Sequence, residues 1–149
     1  MRYPLIYTSI LTTLLFAACN KEKFTTEPQV KAKSVSPETV TKGQTITFTS
    51  SFTDDEGDVQ DSVLVVIKRY NGAANISLDT LRLKLDSKIP KARQGDIIVK
   101  FTYGELQPYI YIPLETIADR EATFGIIIRD KAGNRSNYSE SDRFTLKKL

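Results

Sequence analysis

From Val30 to Lys147 the chain consists almost wholly of short apolar alternations and β-branched runs, cut at short intervals by Gly, Pro, Asn and Asp. This pattern constrains the fold more than any other feature. A period of two sends successive side chains to opposite faces of a strand, and no stretch holds helical periodicity for three turns. Strands are predicted over 30–35, 44–52, 62–70, 76–85, 96–103, 109–113, 122–130 and 142–147. In the second, Ile46, Phe48 and Phe52 oppose Thr45, Thr47, Thr49 and Ser51, as in a strand buried on one face. In the third, Val63, Val65 and Ile67 oppose Leu64 and Val66, so both faces are apolar and a central position is expected. One helical turn is expected over 116–121. Eight short strands with frequent turns point to an all-β sandwich. An eighth strand upsets the alternation of direction in a seven-strand sandwich unless 96–113 is one kinked strand or contains a crossover.

Composition removes several functions. The 149 residues contain no histidine, which excludes His-based general bases and His metal sites. A single cysteine cannot form an intramolecular disulfide. The net charge of +3 is too small to call for nucleic acid. No glycine pair has nucleophile-elbow, P-loop or dinucleotide-loop spacing, and no Ser-x-x-Lys occurs. A non-catalytic protein is therefore expected.

Three passages carry a family resemblance. The run 36–47 (SPETVTKGQTIT) looks like the opening turn and second strand of bacterial immunoglobulin-like modules of the PKD or fibronectin-III kind. The run 52–58 (FTDDEGD) is similar to the acidic turn that follows that strand. The run 126–136 (IIIRDKAGNRS) resembles their last hairpin. The resemblance implies an immunoglobulin-like sandwich of seven to eight antiparallel strands over 30–149. It places the loops 53–61 and 131–136 at one end, beside the start of the first strand. The loops near 36–43 and 71–75, the segment 114–121 and the C-terminus fall at the other end. Two departures stand out: there is neither Trp nor a cysteine pair, and Phe124 occupies the place of a corner tyrosine.

The first residues have the anatomy of a secretory signal over 1–18: Arg2, an apolar stretch over 5–16, then Ala17 and Ala18. The closing Leu15-Phe16-Ala17-Ala18-Cys19 resembles the bacterial lipobox, with Phe16 in place of the usual aliphatic residue. The resemblance implies cleavage before Cys19 and two or three acyl chains, such as palmitate, on that cysteine. Several chains on one residue suffice for stable membrane anchoring. Asn20 stands where an inner-membrane retention aspartate would, so an outer-membrane, Bacteroidetes-type lipoprotein is expected. Asn20-Lys21-Glu22-Lys23 has one acid between two lysines, which leaves periplasmic and surface orientation both open. Polar residues 19–29 form the lipidated cysteine and a tether reaching at most about 33 Å.

Three clusters are candidate sites. Asp54, Asp55, Glu56 and Asp58, with Asp61 nearby, offer the hard oxygens that Ca²⁺ takes. The loop fails EF-hand spacing, and a solvated turn with Gly57 at positive φ is the competing reading. Tyr109 and Tyr111 share a strand face, with Tyr103 near, and can either stack on sugar rings or pack against an edge. Arg82, Lys84, Lys88, Lys91, Arg93 and Lys100 form a basic run, suited to phosphates or acidic glycans, or serving as a polar face. The expected function is that of a membrane-anchored binding or accessory module, carbohydrate-related or adhesive. The alternative is a structural component that binds another envelope protein.

Overall fold

The computed structural model of the chain describes residues 25–59, 62–84 and 91–149. The signal-like segment, Cys19 and the residues up to Phe24, together with Asp61 and Lys88, lie outside them. The described chain forms strands β1 (Gln29–Ser36), β2 (Thr39–Val40), β3 (Thr45–Thr53), β4 (Ser62–Asn71) and β5 (Ala74–Lys84). It continues through β6 (Gln94–Tyr103), β7 (Ile110–Ile112), β8 (Arg120–Arg129), β9 (Ser139–Glu140) and β10 (Phe144–Leu146). All eight strands expected from alternation are present. The two additions, β2 and β9, have two residues each and owe their geometry to their neighbours.

Two sheets pack face to face. One has four strands in the order β1-β3-β6-β7; the other has six, in the order β2-β10-β8-β4-β5, with β9 paired to β8. The inner faces follow the alternation. Ile46 and Phe48 of β3, and Val63, Val65 and Ile67 of β4, are buried. So are Val99 and Phe101 of β6 and Phe124, Ile126 and Ile128 of β8. Strand β4 is central, paired with β5 on one side and β8 on the other, which explains why its outward Leu64 and Val66 are half-buried.

The direction problem over 96–113 resolves as a crossover. Strand β7 runs parallel to β6, with Phe101 beside Ile110 and Tyr103 beside Ile112. Gly104, at φ +71°, turns the chain outward, and its N–H donates to the Ile112 carbonyl at 2.8 Å to close the return. The helical turn expected over 116–121 does not form. Residues 113–119 run without regular structure and Ile117 is 83% exposed, so no apolar face is drawn onto the core.

The two ends fall as the resemblance implied. At one end Asp55 N–H donates to the Thr25 carbonyl, Asn134 Nδ2 to the Thr26 carbonyl, and Lys131 N–H to the Asp58 carbonyl. At the other, Leu149 N–H donates to the Glu115 carbonyl and Arg143 to the Gly72 carbonyl.

Candidate functional site

The acidic end is built where β3 and β8 run out. Asp54 follows β3 and is fully buried; its N–H donates to the Arg93 carbonyl at 2.7 Å. Its Oδ2 accepts the Asp58 N–H at 3.0 Å, across a turn that Gly57 closes at φ +67°. A Cβ on Gly57 would lie 3.1 Å from the Ala92 backbone, so this turn needs glycine on two counts. Asp130 follows β8 and is 1% exposed. Its Oδ1 accepts the Asn134 N–H at 2.7 Å and its Oδ2 the Asn134 side-chain amide at 2.8 Å. Carboxylate oxygens of Asp54, Asp58 and Asp130 lie within 4.8 Å of one another. Burial pushes the Asp54 carboxyl above its ordinary value, backbone N–H donors oppose the shift, and repulsion from Asp58 and Asp130 adds to it.

Of the four acids expected here, two converge. Asp55 is half-buried and lies 3.8 Å from Arg93, and Glu56 is exposed, so neither joins the cluster. The third carboxylate is Asp130, brought in by the pairing of Ser62 with Arg129. Asp130 and Asn134 read locally as turn formers. The signal available was the placing of loops 53–61 and 131–136 at one end.

Tyr109 and Tyr111 lie on the outer face of the four-stranded sheet, 40% and 42% exposed. Lys100 Nζ sits 5.4 Å from the centre of the Tyr109 ring. The register sets Thr102 beside Tyr111, Thr47 beside Lys100, and Thr49 beside Ile98, itself 59% exposed. The expectation for Tyr103 is corrected. It points into the core, fully buried, because it shares a face with Val99 and Phe101. Its hydroxyl donates to the Lys147 carbonyl and accepts the Glu115 N–H, both at 2.8 Å. Burial pushes its phenol pKa up, which keeps it a donor into alkaline solution. Removing that hydroxyl in Tyr103→Phe is expected to cost about 1–2 kcal/mol in chemical denaturation, since a buried N–H and a carbonyl lose their partner.

The members of the basic run among the described residues do not gather into a patch. Arg82 and Lys84 lie on β5 of one sheet, Lys100 on β6 of the other, and Lys91 and Arg93 in the segment before β6.

A further cluster went unread in the sequence. On the outer face of the six-stranded sheet, Glu140 accepts hydrogen bonds from Lys68 Nζ (2.5 Å), Thr123 Oγ1 (2.5 Å), Tyr138 OH (2.8 Å) and Tyr70 OH (3.0 Å). Burial pushes the carboxyl up, but the four donors together outweigh it and hold Glu140 at about 2. The same contact raises Lys68 above the ordinary lysine range. Tyr138 lies across Gly125, where a Cβ would come within 2.2 Å of its hydroxyl oxygen. Glycine is needed at 125 for that approach.

No family model matches the chain, and no curated protein matches it. Among solved structures it is similar to Spo0M, a sporulation control protein from Bacillus subtilis, at 11% identity and a TM-score of 0.41, over 83% of this chain and 50% of that one. It is also similar to BcpA, the major pilin subunit of Bacillus cereus, at 11% identity and a TM-score of 0.36, over 83% and 41%. A third is the alkylpurine DNA glycosylase AlkC of Pseudomonas fluorescens, at 13% identity and a TM-score of 0.43, over 78% and 30%. The similar region spans half or less of each of those chains. The strand order itself defines the class, an immunoglobulin-like β-sandwich. β1, β3 and β6 take the places of strands A, B and E, and β5, β4, β8 and β10 those of C′, C, F and G.

Proposed function

We propose that the chain is a non-catalytic binding module, held at the outer membrane by acyl chains on Cys19, and that its ligand is a carbohydrate. The observation that carries this reading is the outer face of the four-stranded sheet. Two half-exposed tyrosine rings, an exposed isoleucine, a lysine and the half-buried Thr47 and Thr49 share that face. Such rings offer an apolar face to the C–H side of a sugar, and the hydroxyls and the ammonium offer bonds to its oxygens. The location also favours it. Strand β7 pairs with the last residues of β6, at the end away from Thr25 and the acidic loops. With five residues between Cys19 and Thr25, a span of at most about 20 Å, the acidic end faces the membrane and the tyrosines face away from it.

Tyr109→Ala and Tyr111→Ala are each expected to weaken binding to envelope polysaccharide about tenfold, roughly the weight of one aromatic anchor. The melting temperature should change little, because neither ring is in the core. A glycan array without hits, or hits indifferent to both substitutions, overturns the ligand assignment. Intact-mass analysis of the membrane-extracted protein tests the anchor separately: an unmodified Cys19 thiol overturns it.

The protein-partner reading has its own support in β5. This strand is the outermost of its sheet among the described strands, is eleven residues long, and exposes Ile76 (49%) and Leu78 (58%). An open edge of that kind accepts a partner strand. Recovery of one stoichiometric partner from solubilised membranes, lost on placing Pro at Leu78, favours this reading over the carbohydrate.

A further inference from the structure

We propose that Asp54, Asp58 and Asp130 form a Ca²⁺ site that fastens the incoming chain to the end of the sandwich. The argument starts from the cost of the cluster. Three carboxylates from two loops bring oxygens within 4.8 Å of one another, and two of the residues are at most 1% exposed. Like charges held that close out of water repel strongly unless a counter-charge sits among them. Among the described residues none of the ion pairs reaches any of the three. Arg93 faces Asp55, and the Arg129 guanidinium donates to the Gly133 carbonyl.

The second observation is independent of charge. Asp54 Oδ1 and Asp58 Oδ1 are both buried and accept no hydrogen bond, and Asp54 is fully buried as a residue. A buried carboxylate oxygen without a donor is costly and uncommon in folded proteins. Meanwhile the other oxygen of Asp54 and both oxygens of Asp130 are fixed by N–H groups, so the carboxylates are held in place rather than left to swing out. Positioned oxygens with open lone pairs, gathered around one point, are what a cation requires.

The donor set selects the ion. It is all oxygen, with no His or Cys, which suits hard cations and not zinc or copper. Ca²⁺ takes oxygens at about 2.3–2.6 Å in a flexible geometry, which suits carboxylates that come from two separate loops and lie within 4.8 Å of one another. Mg²⁺ holds its ligands closer, at about 2.1 Å, and gives up its waters reluctantly.

The site also has a structural consequence. The Thr25 and Thr26 carbonyls accept from Asp55 N–H and Asn134 Nδ2, one on each loop that supplies a ligand. An ion joining the loops therefore also holds the segment that leads to Cys19.

Calorimetric titration of the purified protein with Ca²⁺ and thermal melting in EDTA, Ca²⁺ and Mg²⁺ test the proposal. Saturating Ca²⁺ is expected to raise the melting temperature by about 5–10 °C over EDTA, and Mg²⁺ by much less. Asp58→Asn, at the half-buried position, should fold, lose the Ca²⁺ response, and melt in EDTA at or above the wild type because one repulsion is gone. Asp55→Asn and Glu56→Gln should keep the full response. No heat of binding with an unchanged melting temperature overturns the proposal, and so does a response that survives Asp58→Asn. An equal rise in Mg²⁺ overturns the choice of ion. None of these readouts depends on a carbohydrate ligand.

Discussion

Phe124→Ala is expected to lower the free energy of unfolding by about 3–5 kcal/mol, the range for deleting a fully buried aromatic ring. The ring of Phe124 touches both sheets. Its centre lies 4.6 Å from Phe101 and 5.3 Å from Phe48 in the facing sheet, and 4.9 Å from Phe144 on β10 in its own. All four residues are at most 2% exposed. The cost has two parts, the transfer energy of the lost ring and the cavity left among three rings anchored to different strands. β-Strand backbones tied by ladders on both sides cannot move in to fill it, which favours the upper part of the range. Phe124→Leu keeps most of the volume and should cost clearly less. Urea unfolding should show the loss as a lower midpoint at unchanged slope. A loss below about 1 kcal/mol would mean that the core collapses around the gap, contrary to a rigid four-ring junction.

Phe124 also shows what was legible in the sequence. The strand over 122–130 and the buried faces of β3 and β4 were legible, because one buried face imposes a period of two, whereas Phe124 reads in the sequence only as standing at a corner-tyrosine position and not as the ring that joins the sheets. Elements fixed by neighbours were not legible. β2 and β9 have two residues each and carry no period; they exist because β10 and β8 offer them a ladder. Tyr103 is expected near Tyr109 and Tyr111 from sequence, but residue parity carries from 103 to 109 only along an unbroken strand. The crossover pairs Phe101 with Ile110, an odd position with an even one, so Tyr103 turns in and the other two turn out. The acidic site was half legible for a related reason. Asp54 and Asp58 share a loop, while Asp130 arrives through a strand pairing, and Asp55 and Glu56 are the neighbours that the turn sends outward. Glu140 lies in a short polar stretch where nothing local marks it. Its donors come from β4, β8 and the residue before β9.

That four-donor carboxylate leads to the second large effect. Glu140→Gln is expected to destabilise the protein by about 2–4 kcal/mol, at or below the usual range for breaking a buried pair, because Lys68 and Glu140 keep about a quarter of their side-chain surface in water. The loss comes mainly from Lys68. The substitution leaves its ammonium against Tyr138, 4.9 Å from the ring centre, with no carboxylate beside it. The pH dependence identifies the group. Glu140 is held at about 2, below its ordinary 4.5. Its contribution is therefore fully present above about 4.5 and disappears as pH falls through about 2. Lys68 is shifted upward, so its contribution is complete through neutral pH and is lost only in strong alkali. The gap between wild type and Glu140→Gln should stay flat from mildly acidic to neutral pH and close as pH approaches 2. A gap independent of pH down to that point would show that the charge of Glu140 contributes nothing. Replacing both partners, Lys68→Met with Glu140→Leu, should recover much of the loss, since no half-buried charge is then left alone. If the double variant is as unstable as Glu140→Gln, the hydrogen bonds from Thr123, Tyr70 and Tyr138 carry the energy, and the ion pair only accompanies them.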